Sequence, residues 1–172
     1  DVGISVFGAS QAAARLEGSK SFATEFMQRH HIAAPESHIV ESAKEALSAI
    51  KILGGADKSV IKADGLAGGK GVFLPNSEAE ATDAIQRITS GEVDGDGKRF
   101  IVQRRNYGPE VSVFVLSDGE NYRIIPLASQ DHKRLGVGDT GPNTGGMGVY
   151  APLPEWMLNK AQWSKIESIA EA

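Results

Sequence analysis

The sequence predicts an α+β chain with mixed or antiparallel sheets. Three observations point there. Up to residue 103, short apolar runs of strand length alternate with amphipathic stretches of helix length. From residue 99 to 127, three β-type runs follow one another with only turn residues between them, as in an antiparallel meander. Two glycine-dense segments interrupt this pattern and read as loops rather than as core.

Taken in order, Asp1 to Phe7 alternates and predicts a short strand. Gly8-Ala-Ser-Gln11 leads into an Ala-rich run with a turn or two of helix up to Leu16. Ser19 can cap a helix over Lys20 to His30, with Phe22, Phe26 and Met27 on one face and Glu25, Gln28 and Arg29 on the other. Ile32-Ala-Ala-Pro35 ends it, and His38 to Val40 is a short strand. Glu41 to Leu53 reads as a helix with Ala43, Ala46, Leu47 and Ile50 inward, stopped by Gly54-Gly55. Lys58 to Lys62 and Val72 to Leu74 are strands on either side of a glycine loop. Ser77 caps a helix over Glu78 to Thr89, and Gly91 to Lys98 is a polar turn. Strands follow at Arg99 to Gln103, Glu110 to Leu116 and Tyr122 to Leu127, the last two joined through Ser117-Asp-Gly-Glu-Asn121. After a long loop, Ala151-Pro-Leu-Pro154 breaks the chain. A packing helix is expected from Glu155, with Met157, Leu158, Trp163, Ile166 and Ile169 apolar and Trp156 and Trp163 in core or interface.

The first glycine segment is Val60-Ile-Lys-Ala-Asp-Gly-Leu-Ala-Gly-Gly-Lys-Gly-Val72. Gly65, Gly68, Gly69 and Gly71 remove the Cβ atoms that keep a backbone away from a polyanion, and Lys62 and Lys70 add positive charge. Lys70 is followed by Gly71, and the run after it is strand-like, so this is no Walker A loop. It suits a mobile cover over phosphates; taken alone it is also compatible with a plain glycine-rich hairpin. Lys62 stands out because it lies in an otherwise apolar strand, where a charge needs a partner. The second segment, Ser129 to Tyr150, holds six glycines in the thirteen residues from Gly136 to Gly148. That density predicts a long functional loop that approaches a ligand or another backbone closely.

Composition narrows the function. The 172 residues are 41% hydrophobic with a formal net charge of −4, a balance that argues against a protein that coats nucleic acid. With no cysteine there is no disulfide framework, thiol nucleophile or thiolate metal site. No apolar run reaches the ~20 residues of a membrane span. No nucleic-acid or membrane partner is expected, and a cytoplasmic location is. His132 has no second histidine at ligand spacing, so no metal site is expected within the chain. The chain begins in a strand without Met and stops in a helix, which predicts a piece of something longer.

Phe7-Gly-Ala-Ser10, Leu16-Glu-Gly-Ser-Lys20, the Val60 to Gly71 run, Gly108-Pro-Glu-Val-Ser112, Gln130-Asp-His-Lys-Arg134 and Asp139-Thr-Gly-Pro-Asn-Thr-Gly-Gly-Met-Gly148 together resemble the ATP-grasp superfamily. Within it they are most similar to the glycinamide ribonucleotide synthetase (phosphoribosylamine-glycine ligase) family. The resemblance implies an ATP-grasp fragment: residues 1–35 starting the core, 36–103 a small α/β lid subdomain, and 104–172 a truncated part of the core. It also implies ATP-dependent ligation of glycine to 5-phosphoribosylamine through a glycyl phosphate, giving glycinamide ribonucleotide, ADP and phosphate in purine biosynthesis. The implied partners are those two small substrates and the missing domains of the parent chain. ATP and Mg²⁺ are the implied cofactors, with the metal ligands expected beyond the C-terminus, so that the piece alone is not expected to turn over.

By motif, the resemblance places Lys20, Lys62, Gly68, Gly69, Lys70 and Gly71 at ATP phosphates, Gln103 and Asn106 in an adenine hinge spanning 103–106, and Glu110 at the ribose. Lys133 and Arg134 become the catalytic cations, and Asp131, His132, Asn143, Thr144, Gly145 and Gly146 face phosphoribosylamine and glycine. Asp131 is also close enough in sequence to pair with Arg134 as a plain ion pair. Where that family carries a Glu-Glu pair at the hinge, this chain has Gln103-Arg104-Arg105-Asn106-Tyr107. Arg99, Arg104 and Arg105 could form a small anion patch or one solvated face. A non-catalytic nucleotide-binding module is the other functional class these motifs allow.

Overall fold

The computed structural model describes residues 3, 4, 6–65, 71–93, 95 and 97–171. They fall into two compact units, one running up to Arg29 and resuming over Pro35–Arg105, the other made of His30–Ala34 and the chain from Asn106 onward.

The first unit contains α1 (Gln11–Gly18), α2 (Lys20–Arg29), β1 (Ser37–Val40), α3 (Ala43–Ile52), β2 (Ser59–Ala63), β3 (Val72–Phe73), α4 (Glu78–Thr89) and β4 (Phe100–Arg104). The strands form one antiparallel sheet in the order β1-β4-β2-β3. Serine caps begin all four of these helices: Ser10, Ser19, Ser42 and Ser77 accept from the N–H groups of Ala13, Phe22, Glu45 and Glu80. Glu45 and Glu80 reach back to the N–H groups of Glu41 and Asn76, both at 2.8 Å, so each helix start satisfies an additional free donor.

The core lies between α3, α4 and one face of the sheet. Strand alternation sends Ile61 and Ala63 of β2 and Phe100 and Val102 of β4 into it, where they meet Ala46, Ala49, Ile50, Leu53, Ala81, Ala84, Ile85 and Ile88. Alanine on both helices lets the backbones come close. The inward face of α3 is Ala46, Ala49 and Ile50, with Leu53 just beyond the helix. The expected Ala43 and Leu47 are instead exposed, because the i, i+3, i+4, i+7 stripe starts one turn later. α2 packs on β1 and β4 and buries Ser21 and Thr24, while Phe22 and Phe26 are half-buried beneath the guanidinium groups of Arg15 and Arg29.

The expected first strand is not formed at residues 3, 4, 6 and 7; Ile4, Val6 and Phe7 are exposed and no described strand lies beside them. Alternation needs a neighbouring ladder to become a strand. Residues 1, 2 and 5 lie outside the described residues, as do Asp94 and Asp96 of the polar turn.

The second unit holds β5 (Ser112–Ser117), β6 (Tyr122–Asp131), β7 (Arg134–Gly136), β8 (Thr140–Asn143), β9 (Val149–Tyr150) and α5 (Lys160–Glu171). β5, β6 and β9 form an antiparallel sheet, and β7 pairs with β8. The β5–β6 register shifts between Val113 and Val115, across from Pro126, which has no N–H to give to the ladder. α5 starts at Lys160 rather than Glu155, because Asn159 and Gln162 exchange side-chain to backbone bonds at 2.9 and 3.1 Å and Pro154 to Leu158 form a turn. Trp156 is 79% exposed, so it is no core residue of this unit.

Candidate functional site

In the first unit, two lysines stand at the exit of β2, each held by an oxygen. Lys20, the first residue of α2, donates from Nζ to the carbonyl of Gly65. The helix start that presents it is tied down by Asp64, whose carboxylate accepts from Ser19 Oγ at 3.1 Å, Ser21 N–H at 3.2 Å and Gly65 N–H at 3.0 Å. Ser19 Oγ also caps α2 by accepting from Phe22 N–H at 3.1 Å. Burial pushes the Asp64 carboxyl up, but the hydrogen bonds from Ser21, Ser19 and Gly65 outweigh it and hold the group below its ordinary value. A Cβ on Gly95 would sit 2.6 Å from the Asp64 carbonyl oxygen, so the polar turn backs onto this junction through a position only glycine fits. Ala63 N–H donates to Gly71 O, which closes the far end of the glycine loop onto β2. Gly68, Gly69 and Lys70 lie outside the described residues.

Lys62, half-buried, donates from Nζ to Gln103 Oε1 at 2.6 Å, and Gln103 Nε2 donates to Ser37 Oγ at 2.8 Å. The expected hinge is partly committed: Arg104 N–H donates to Glu36 O and Arg105 N–H to Lys58 O, both at 2.8 Å. Among the described residues the three arginines are engaged by the chain itself. Arg99 pairs with Glu25, Arg104 with Glu36 and with Leu53 O, and Arg105 donates to Asn76 Oδ1. They fasten strand ends to neighbouring helices and loops.

In the second unit, the glycine-dense segment is two short strands and a tight cluster of backbone bonds rather than an irregular loop. Gly136 faces Thr140 so closely that a Cβ would lie 2.5 Å from Thr140 Oγ1, so the near neighbour here is another part of the chain. His132 N–H donates to Gly148 O and Met147 N–H to His132 O. Thr144 donates from both its N–H and its hydroxyl to Lys133 O, and accepts from Gly146 N–H. The result brings Asp131, His132, Lys133, Thr144 and Gly146 together, with Arg134 opposite Asn143 in the β7–β8 pair. The His132 ring stacks on Tyr150 at 5.7 Å, and Tyr150 OH donates to Gln130.

Asp131 does not pair with Arg134; its near cation is Lys133 at 4.0 Å, which is also 3.0 Å from Glu110. Arg134 Nε is buried without a hydrogen-bond partner among the described residues. Glu110, expected at a ribose, thus sits in an exposed pair with Lys133. Among the described residues no three His, Asp or Glu side chains gather as a metal site.

The model of the phosphoribosylglycinamide synthetase ATP-grasp (A) domain family matches residues 18–172. The chain belongs to this family. It is 47% identical over 177 residues to a phosphoribosylamine-glycine ligase of Yersinia pestis, which covers 98% of this chain and 40% of the relative. It is 46% identical to one of Vibrio parahaemolyticus, over 90% of this chain and 35% of that one. The crystal structure of phosphoribosylamine-glycine ligase from Thermotoga maritima superposes with a TM-score of 0.83 at 36% identity, over 95% of this chain and 41% of that one. D-alanyl-alanine synthetase A from Vibrio cholerae shares the fold at a TM-score of 0.72 and 14% identity, over 98% of this chain and 50% of that one. This ATP-grasp chain therefore spans about 40% of the length of the first curated relative it matches.

Sequence reasoning missed Asp64 and Ser37 as supports of the two lysines; Ser19 was read as the cap of α2, which it is, but its bond to Asp64 was not foreseen. The only local trace was the polar pair Asp64-Gly65 closing an apolar strand; the partners themselves lie 41 to 66 residues away along the chain.

Proposed function

We propose that this ATP-grasp chain is the nucleotide-binding part of a cytoplasmic ligase that joins glycine to 5-phosphoribosylamine through a glycyl phosphate, releasing glycinamide ribonucleotide, ADP and phosphate. The observation that carries the reading is the first unit's arrangement at the β2 exit. Lys62 points from the strand, Lys20 reaches the next turn at Gly65, and both ends of the glycine loop are anchored there. Phosphoryl transfer needs in-line positioning and offset of negative charge more than it needs a base. Lys20 and Lys62 supply fixed positive charge for the phosphates of ATP, and Gly68, Gly69, Lys70 and Gly71 cover them. Gln103 and Asn106 bound the adenine hinge.

In the second unit, Lys133 and Arg134 suit the phosphate of phosphoribosylamine and the carboxylate of glycine as that carboxylate takes up the phosphoryl group. Asp131, His132, Asn143, Thr144, Gly145 and Gly146 shape the acceptor side, and Glu110 exchanges Lys133 for the ribose hydroxyls when nucleotide binds. Mg²⁺, when bound, neutralises the phosphate oxygens; its ligands belong to the remainder of the parent protein. The reading is tested on the parent-length protein by ADP release, which requires glycine and phosphoribosylamine together. Release at the same rate without either substrate, or with D-alanine replacing glycine, overturns it.

A further inference from the structure

Ser37, Gln103 and Lys62 lie on three adjacent strands, β1, β4 and β2. Gln103 is directly opposite Ser37 on one side and Val60 on the other. Lys62, two residues beyond Val60, shares that face and is the diagonal neighbour of Gln103, within reach of long side chains. The intervening Ile61 and Val102 turn the other way into the core.

Proton count leaves one arrangement. The Ser37 hydroxyl has a single proton, and it goes to Pro35 O at 2.7 Å. Toward Gln103, Ser37 Oγ therefore offers only lone pairs. The amino end of the Gln103 amide must meet it, which turns Oε1 toward Lys62 Nζ, a group that can only donate. The flipped amide would set donor against donor at Lys62 and acceptor against acceptor at Ser37.

We infer that Gln103 is a positioning residue for Lys62: an amide locked by Ser37 that aims the ammonium group and brings no opposing charge to it. Geometry and charge are thereby separated. A neutral acceptor fixes direction without itself opposing the ammonium charge. The inference deepens the nucleotide reading and rests on it for the identity of that anion, the phosphates of ATP.

The test follows the Lys62 ammonium itself. In the ¹⁵N-labelled chain without nucleotide, with the signal assigned by Lys62→Ala, the Lys62 Nζ protons exchange slowly with water. Gln103→Met weakens that protection, Ser37→Ala weakens it by freeing the amide to flip, and Gln103→Glu keeps it through a charged acceptor, while the backbone amide spectrum keeps the native dispersion. Affinity for Mg-ATP falls about tenfold in Gln103→Met, the loss of one hydrogen bond to a charged group. Unchanged Lys62 exchange in Gln103→Met overturns the inference. So does Mg-ATP affinity in Gln103→Glu equal to that of the unsubstituted chain, since a carboxylate at that position sets an opposing charge on Lys62. Absence of ATP binding by the unsubstituted chain sinks the nucleotide reading alone, since the exchange data still decide whether Gln103 holds Lys62.

Discussion

Replacing Asp64 perturbs the junction that holds α2, Lys20 and the start of the glycine loop together. Its carboxylate accepts three hydrogen bonds of 3.0 to 3.2 Å and is only partly buried. Buried hydrogen bonds to a charge contribute about 1.5–3 kcal/mol each, but their length and solvent access here reduce each to below about 1 kcal/mol. Asp64→Ala, which loses all three, costs about 2 kcal/mol; Asp64→Asn, which keeps one acceptor oxygen, costs about 1 kcal/mol. With a urea slope of about 2 kcal/mol/M, the midpoints move by about 1 M and about 0.5 M. Both tryptophans lie outside the first unit, so far-ultraviolet circular dichroism is the appropriate signal.

The pH dependence gives the decisive arm. The folded carboxyl lies below its ordinary value, because the hydrogen bonds from Ser21, Ser19 and Gly65 outweigh the effect of burial, so its contribution is complete above that ordinary value and disappears as pH falls through the folded one. The gap between the parent chain and Asp64→Asn is full at neutral pH and closes in acid. A gap that is absent at neutral pH, or that persists unchanged in acid, refutes the assignment.

Phe100→Ala, at a fully buried site between the sheet and the two covering helices, destabilises by about 3–5 kcal/mol in the same urea experiment; a loss under 1 kcal/mol would mean that this core is not packed as described. Lys62→Ala weakens Mg-ATP binding while leaving the circular dichroism spectrum unchanged, and equal affinity in a titration would count against the role of this lysine. Nucleotide also slows amide hydrogen exchange within residues 36–103, as expected of a cover that closes over phosphates; identical exchange with and without ATP would speak against a moving lid.

The helices and core strands of the first unit were legible because local chemistry and packing agree there. Ser77 sits three residues before Glu80, and Ile61, Phe100 and Val102 fall on the period of two that the sheet uses. Leu47 was misplaced because an apolar residue at helix spacing does not reveal where the buried stripe begins. β7 and β8 were hidden because Thr140-Gly-Pro-Asn143 has no apolar alternation; the pairing comes from the close approach of Gly136 to Thr140. Lys20 and Lys62 could be singled out by motif, but what holds them could not: Asp64 meets Ser19 and Ser21, and Gln103 meets Ser37 and Lys62, only after the sheet and α2 have assembled.

The most direct test of the central claim is calorimetric titration of the parent-length protein with Mg-ATP, with Mg-GTP as control. Saturable heat with ATP and none with GTP is the predicted result. No saturable heat, or equal heat with both nucleotides, would contradict the assignment of an ATP site to the β2 exit and its two lysines.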